Sequence, residues 1–358
     1  MATLFGRTYT RAELLQLVGD IGQVASVSLK TLEDGAERGV RVADISTGSG
    51  LRFTVLIDRG MDIGAADWAG KPLAWRSPAG AVHPAFYDPI GLGWLRSFPG
   101  GLVVGCGLDN VGNPTTDEGD VLGLHGRLSN TPAQLLGYGG RWEGDEYVLW
   151  VEGQVRHYRV FGANLMLRRK VSTSLGSACL RIEDTITNMG FATTPFQILY
   201  HCNLGFPIVS PETELWIETE KSEPRDADAV RGLARHKQFE APTPGYAEQV
   251  FYHYPVAGAP NTRYAGLCRA ALVNRALNLG VYVQFRQAEL PHMIEWKMMG
   301  QGTYVVGLEP ANCWVEGRAV DRQRGVLRYL GPGESVSPLL EIGVLPDAEA
   351  LEAYASGG

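Results

Sequence analysis

Three titratable residues stand where strand-like apolar runs meet residues that favour turns. His125 lies in LGLHGRLSN, His201 in LYHCNLGFP and Glu309 in VGLEPANCW. A carboxylate after so apolar a run is seldom left unpaired. Burial would raise the pKa of Glu309 toward neutral pH, where it can act as a general base while a histidine acts as the acid. The sequence therefore predicts proton-transfer chemistry where these three stretches meet.

Each of these residues also has a structural interpretation. A histidine at a strand end can belong to a structural hydrogen-bond network, and Glu309 can cap the backbone amides of Ala311 and Asn312. Two histidines and a glutamate also suit a catalytic metal ion, although the usual metal-ligand spacings are missing. Among the remaining histidines, we interpret His157, His236 and His253 as structural and keep His83 and His292 open as pocket residues.

The elements that must position these residues are mostly antiparallel strands. Residues Leu51–Ile57 alternate between apolar and more polar positions, and Ser46–Gly50 suits the hairpin turn before them. Strand-like runs separated by turn residues also fill Arg141–Asn188 and Leu267–Leu345. The long Gly/Pro/aromatic loops between Asp58 and Asn130 predict either cover for a sheet edge or the rim of a pocket.

The fold class predicted from this pattern is all-β, as one large antiparallel β-sandwich domain over residues 1–358 with few short helices. The Thr10-x-x-Glu13 capping box predicts a helix over about residues 10–19. A second short helix is predicted over about residues 346–354. Lys221–Gly245 is polar, contains prolines and is interpreted as an excursion from the sheets.

Composition narrows the partners and the compartment. The 358 residues are 45% hydrophobic and carry a net charge of −7 without a basic run, which argues against nucleic acid or an anionic membrane as a partner. The five cysteines are odd in number and form no CxxC pair, as expected of reduced thiols in a cytoplasmic protein. No run approaches the length of about 18 apolar residues that a membrane span requires.

Familiar cofactor motifs are missing from the sequence. There is no Gly-rich dinucleotide fingerprint, no phosphate-cradling loop and no G-x-S-x-G elbow. Redox, kinase and serine-hydrolase functions therefore lose their usual support, and we predict no cofactor.

The three stretches resemble those of the aldose 1-epimerase (galactose mutarotase) superfamily. Leu124-His125-Gly126, His201-Cys202-Asn203-Leu204 and Gly307-Leu308-Glu309 match its motifs in order and at comparable spacing. The segments 58–63 and 105–110 are similar to a poorly characterised bacterial branch of that superfamily, and this likeness extends from about Leu51 to Leu345.

The resemblance implies a cofactor-independent isomerase acting on a free sugar or sugar acid, with a homodimer left open. Glu309 would be the base that removes the proton of the anomeric hydroxyl, and His201 the acid that protonates the ring oxygen. His125 would hold sugar oxygens, and Asn203 belongs to the matching motif.

Two departures bear on the substrate. Mutarotases carry an aromatic pair where this chain has only Cys202, and the arginine expected before LHG is replaced by Asp109 and Asn110. Positive charge would then come from Arg59, Arg96 or Arg127. Trp296 and Lys297 are predicted as a sugar-stacking face with a polar contact, the alternative being a core tryptophan beside a solvated lysine.

Other functions stay open. The same Glu/His pair suits an isomerase or lyase that enolises a keto-sugar. The aromatic residues, which include 8 tryptophans and 14 tyrosines, also suit a non-catalytic carbohydrate-binding or sensing protein.

Overall fold

The computed structural model describes residues 1–356, and strands make up most of its regular structure. Strand accounts for 49% of the chain and helix for 13%, which confirms the predicted all-β sandwich. The strands are β1 (Ala2–Leu4), β2 (Arg7–Tyr9), β3 (Ser26–Thr31), β4 (Arg41–Ser46), β5 (Leu51–Leu56), β6 (Asp62–Trp68), β7 (Lys71–Pro72), β8 (Val104–Leu108), β9 (Thr115–Asp117), β10 (Asp120–Leu122), β11 (Gln134–Glu143), β12 (Glu146–Tyr158), β13 (Asn164–Ser174), β14 (Cys179–Asn188), β15 (Thr194–Gly205), β16 (Thr213–Ile217), β17 (Thr219–Pro224), β18 (Gln249–Pro255), β19 (Leu267–Asn274), β20 (Leu279–Arg286), β21 (His292–Met299), β22 (Tyr304–Ala311), β23 (Arg328–Leu330), β24 (Ser335–Val336) and β25 (Leu339–Leu345).

Helices are short and lie outside the sheets. The α-helices are α1 (Arg11–Leu15), α2 (Ala227–Gly232), α3 (Arg318–Gln323) and α4 (Ala348–Ala355), and 3-10 turns cover Ile21–Gln23, Gly35–Glu37, Pro84–Phe86, Gly93–Ser97, Leu128–Asn130, Leu233–Arg235 and Arg275–Leu277. The predicted capping box is present at the start of α1, but this helix ends at Leu15 instead of reaching residue 19. None of the helices within residues 1–356 is long and apolar enough to cross a membrane.

Three large antiparallel sheets build the described part of the molecule, and two two-stranded sheets, β1-β2 and β9-β10, accompany them. The large sheet has the order β11-β12-β13-β14-β25-β20-β19-β16, with β24 beside β14. The site sheet, named for the residues it positions, has the order β17-β18-β21-β22-β15-β23, with β8 also paired to β15. The small sheet is β3 to β7 in sequence order.

The core lies between these sheets because each strand alternates its side chains. One apolar cluster joins Val151 of the large sheet, Ile198 of the site sheet and Phe53 of the small sheet. On the opposite face of the site sheet, Leu199 and Ile294 pack in a second cluster under the loops between β7 and β8. The site sheet is therefore covered on both faces, by a sheet on one and by loops on the other.

The two central strands of the site sheet run further than predicted. His201 and Glu309 were expected at strand ends, yet β15 continues to Gly205 and β22 continues to Ala311. β15 ends only at Gly205, just before Pro207, whereas Pro310 lies inside β22, where it stands opposite Met293 of β21. Both titratable residues thus lie within a paired, rigid part of the sheet.

Candidate active site

His201 and Glu309 are cross-strand neighbours. Cys202 pairs with Leu308 and Leu199 with Ala311, which sets His201 directly opposite Glu309. Cross-strand partners on one face lie close together, and here His201 Nε2 is 3.1 Å from Glu309 Oε1. The two side chains therefore lie side by side on one face of the site sheet.

Both side chains bring unsatisfied polar atoms to this site. The 3.1 Å contact does not have the geometry of a hydrogen bond, and within residues 1–356 the buried His201 Nδ1 and Glu309 Oε1 have no hydrogen-bond partner. Most buried polar atoms in proteins are paired, so each exception needs an explanation, and a bound substrate would explain two such atoms at one cavity. The pair is thus suited to receiving hydroxyl groups of a substrate.

Desolvation sets the charge of the pair. Burial lowers the pKa of His201 to about 3, with a further contribution from the nearby His125. Burial also raises the pKa of Glu309 well above its usual range. Both shifts favour the uncharged form of each group, so in the free protein burial favours a proton on Glu309 over one on His201.

His125 reaches the same site from the loop after β10. Its backbone is left-handed (φ 55°), and its Nδ1 accepts a hydrogen bond of 3.3 Å from the Gly112 N–H. This bond assigns the proton of the neutral ring to Nε2, which leaves Nε2–H as a donor. Burial lowers the pKa of His125 to about 4, and its ring centroid is 5.7 Å from that of His201.

A cavity of about 450 Å³ opens over these three residues. Its walls are largely aromatic: the Phe98 ring lies 5.4 Å from that of His201, the Trp296 ring 5.3 Å from it, and Trp94 lies 4.7 Å from His125. Trp75 completes the aromatic lining. Three of these four aromatic residues come from the loops between Asp58 and Asn130, so these loops form the rim of a pocket.

Two charged residues in the lining, Arg225 and Glu248, were missed by the sequence analysis. Arg225 Nη2 lies 2.9 Å from Glu248 Oε1 and 2.8 Å from Asp226 Oδ2. Glu248 also accepts a 2.8 Å hydrogen bond from Trp296 Nε1. Arg225 belongs to the polar stretch interpreted as an excursion, and no local pattern indicated that it would reach the cavity.

Of the other predicted substrate-binding residues, three have side chains committed to the protein framework. Arg59 is buried and donates to the carbonyl oxygens of Val82 (2.7 Å) and Ser97 (2.8 Å). The Asn203 amide donates to the carbonyl oxygens of Gly101 and His201. Lys297 is fully buried on the opposite face of the site sheet, where its Nζ is 2.8 Å from Glu240.

Three more belong to the neighbouring loop structure. Asn110 donates to the carbonyl oxygens of Asn113 and Gly123 and is buried. Asp109 and Arg127 line a separate groove beside β12, not the cavity over His201. The predicted set is thus reduced at this cavity to His125, His201, Glu309 and Trp296.

The hypothesis of a metal ion bound by His125, His201 and Glu309 is not supported by the positions of their ligating atoms. Within residues 1–356, three ligating atoms of histidine and carboxylate come within 4.8 Å of one another at His236, His253 and Glu295, not at the cavity trio. The two other pocket candidates have framework contacts: His83 caps a 3-10 turn and the His292 ring packs 3.8 Å from that of Trp314.

Comparison with known proteins agrees with this architecture. A protein from Klebsiella pneumoniae described as a proposed aldose 1-epimerase is 27% identical, with a TM-score of 0.87 over 94% of this chain and 89% of its own. A galactose mutarotase-like protein from Clostridium acetobutylicum is 15% identical, with a TM-score of 0.59 over 89% of this chain and 98% of its own. Galactose 1-epimerase from Lactobacillus acidophilus is 12% identical, with a TM-score of 0.56 over the same shares.

Comparison by sequence gives one family match. No curated protein matches the sequence. The model of the family described as a domain of unknown function, DUF4432, matches residues 37–344. The structural likeness confirms the resemblance to the aldose 1-epimerase (galactose mutarotase) superfamily, and because the family model spans most of its length, the chain belongs to the DUF4432 family.

Proposed function

We propose that this protein is a cofactor-independent isomerase that interconverts the anomers of a free aldose. The observation that carries the proposal is the His201–Glu309 pair, 3.1 Å apart, buried and partly unsatisfied beneath an aromatic cavity. The names of the similar Klebsiella and Lactobacillus proteins, which refer to epimerisation of aldoses and of galactose, support it.

The spacing of the pair suits the two oxygens of an anomeric carbon. Both oxygens are bonded to one atom, so two groups in van der Waals contact can each reach one of them. Glu309 takes the proton of the anomeric hydroxyl while His201 gives a proton to the ring oxygen. The bond between the anomeric carbon and the ring oxygen breaks, its electrons stay on the ring oxygen, and an aldehyde forms. Rotation and closure with the roles reversed give the other anomer.

This step needs the proton of the pair to be on His201. In the free protein it is on Glu309, because desolvation favours the uncharged form of both groups. Substrate hydroxyls that donate to the Glu309 carboxylate would lower its pKa and return the proton to His201. The Nε2–H of His125 would hold a sugar oxygen, and Trp296 would stack on the pyranose.

The charges around the cavity support a neutral aldose over a sugar acid. Among the described residues that line it, Arg225 is the cation, and both Asp226 and Glu248 already pair with it. A substrate carboxylate would therefore find no uncompensated positive charge.

Polarimetry of freshly dissolved aldoses tests the proposal. We expect the wild type to accelerate anomerisation of at least one aldose, and Glu309→Gln to lower kcat by about 10²–10⁴-fold, the usual contribution of a general base. Glu143→Gln, on an exposed strand end, serves as the matched control and should retain full activity.

Other outcomes would select another function. Exchange of a carbon-bound proton next to the carbonyl in heavy water would indicate enolisation of a keto-sugar. Calorimetric binding of a sugar that survives Glu309→Gln, without turnover of any sugar in a broad panel, would indicate a binding protein and refute the isomerase.

A further inference from the structure

A second cluster of titratable side chains lies behind the candidate active site. On β21, Ile294 and Trp296 line the cavity, so Glu295 between them points to the other face of the site sheet. Glu295 Oε2 is 3.0 Å from Nε2 of His253 on β18 and 2.9 Å from Nδ1 of His236. All three residues are buried, and Glu295 and His253 are completely so.

His236 comes from the segment after α2, which joins two sheets. The neighbouring Lys237 carbonyl accepts a 2.9 Å hydrogen bond from Leu215 N–H of the large sheet. The rings of His236 and Phe251 of the site sheet are 5.1 Å apart. The cluster therefore lies at the edge of the sandwich, where this segment bridges the large sheet and the site sheet.

One buried acceptor of the cluster, Glu295 Oε1, takes no part in its hydrogen bonds. Glu295 Oε2 faces both histidines, whereas Oε1 has no partner among residues 1–356. A buried carboxylate oxygen without a partner carries a large desolvation cost. A cation bound between the carboxylate and the two rings would remove that cost.

The ligand set and its surroundings suit a transition metal. Two imidazole nitrogens and a carboxylate oxygen within 4.8 Å of one another are a ligand set for Zn²⁺ and similar divalent ions. His253 Nδ1 lies 3.0 Å from Ser222 Oγ, a contact that can accept the ring proton and leave Nε2 free to coordinate. The nearby Lys297 ammonium is already paired with Glu240, which limits its repulsion of a cation.

We propose that His236, His253 and Glu295 bind one divalent transition-metal ion of the Zn²⁺ class, at a site separate from the candidate active site. On binding, the ring protons that now face Glu295 move to the opposite nitrogens or leave to solvent. The ion fastens the bridging segment to β18 and β21. These strands carry Val250, Ile294 and Trp296 into the cavity on their other face, so the ion also stiffens one cavity wall.

Cobalt titration tests this site directly. After treatment with a chelator and dialysis, the full chain should bind one equivalent of Co²⁺ with visible ligand-field bands, and Zn²⁺ should abolish the bands. His236→Gln should lose these bands because it removes one ligand. This variant is expected to fold, since His236 is the least buried of the three residues and glutamine can keep a hydrogen bond to Glu295. His157→Gln, which changes a histidine outside the cluster, should titrate as the wild type does.

A second pair of variants keeps the test decisive. Ser222→Ala should weaken Co²⁺ binding by about 10- to 100-fold, as changes to partners of metal ligands do, even if His236→Gln does not fold. Glu309→Gln should bind Co²⁺ as the wild type does. The proposal is overturned if the wild type shows no stoichiometric bands, if folded His236→Gln keeps them, or if they disappear with Glu309→Gln.

Discussion

In the His201–Glu309 pair the usual order of the pKa values of a histidine and a carboxylate is reversed. An ordinary histidine has a pKa near 6.5 and an ordinary glutamate near 4.3, so they would both be charged between those values. Here burial reverses the order, with the pKa of His201 at about 3 and that of Glu309 well above its usual range. Between these two limits the pair holds one proton, which is the number that anomerisation requires.

The pH dependence of kcat/KM follows from this inversion. As pH falls, activity should be lost only when His125 (pKa about 4) and His201 (pKa about 3) bind protons, not near pH 6.5. As pH rises, activity should fall when the raised Glu309 carboxyl loses the last proton of the pair. Initial rates on an active aldose, measured from about pH 3 to about pH 10, cover both limbs. An acid limb centred near 6.5 would contradict the assignment.

Among single residues, the sequence identified the site residues that are both titratable and flanked by apolar, buried neighbours. His125, His201 and Glu309 were found because polar groups stood among apolar residues. Consecutive strand residues face opposite sides, so Trp296 and Lys297 cannot both line one cavity, and only the tryptophan does. Arg225 could not be found in this way, because its position depends on where a polar segment folds back.

At the scale of elements, the turn that carries His125 depends on a glycine. Gly126 is left-handed (φ 69°), and a Cβ there would lie 2.5 Å from Asp109 Oδ1 and 2.6 Å from the Gly107 carbonyl oxygen. Such distances force a neighbouring group to move. The histidine in LHG is therefore positioned by the close packing of the residue after it.

Gly126→Ala should both destabilise the protein and lower anomerisation. Left-handed backbone costs an alanine about 1–2 kcal/mol, and the steric contacts add about 1–3 kcal/mol. Gly119→Ala is the matched control, because Gly119 is also left-handed (φ 86°) but a Cβ there would have no atom of the described residues within 4 Å. Urea unfolding and polarimetry measure the two effects. Equal losses in both variants would show that the contacts around Gly126 do not matter.

The pairing of elements was harder to predict than the elements themselves. The alternation of apolar and polar residues predicted β5, β12 and β13 as strands, because this pattern depends only on residues that are close in sequence. The site sheet, however, pairs β15 with β8 on one side and β22 on the other. These partners are far apart in sequence, so the distances that create the site depend on long-range packing that no local pattern records.

At the scale of the whole molecule, a buried ionic network joins the sheets beneath the site. Arg169 of the large sheet binds both oxygens of Asp184, at 2.9 and 2.7 Å, and donates to the Gly60 carbonyl oxygen. The hydroxyl of Tyr200, next to His201 on β15, donates to Asp184 at 2.6 Å. Arg169 Nη1 is also 3.8 Å from Asp62, whose pKa burial raises to about 7. One buried guanidinium thus organises charges that lie between the layers.

Arg169→Met should therefore destabilise the protein by about 3–5 kcal/mol, because it leaves the buried Asp184 without its paired guanidinium and removes the larger of the two positive charges that act on Asp62. Arg168→Met is the control: that neighbouring arginine is 61% exposed, pairs with Glu152, and should cost less than about 1 kcal/mol. A carboxyl with a raised folded-state pKa contributes stability at low pH and loses it as pH rises, so the deficit of Arg169→Met should grow from pH 5 to pH 8. Urea unfolding at both pH values measures this. If Arg169→Met loses no more unfolding free energy than Arg168→Met, or if its loss shrinks as pH rises, the network does not hold the sheets together.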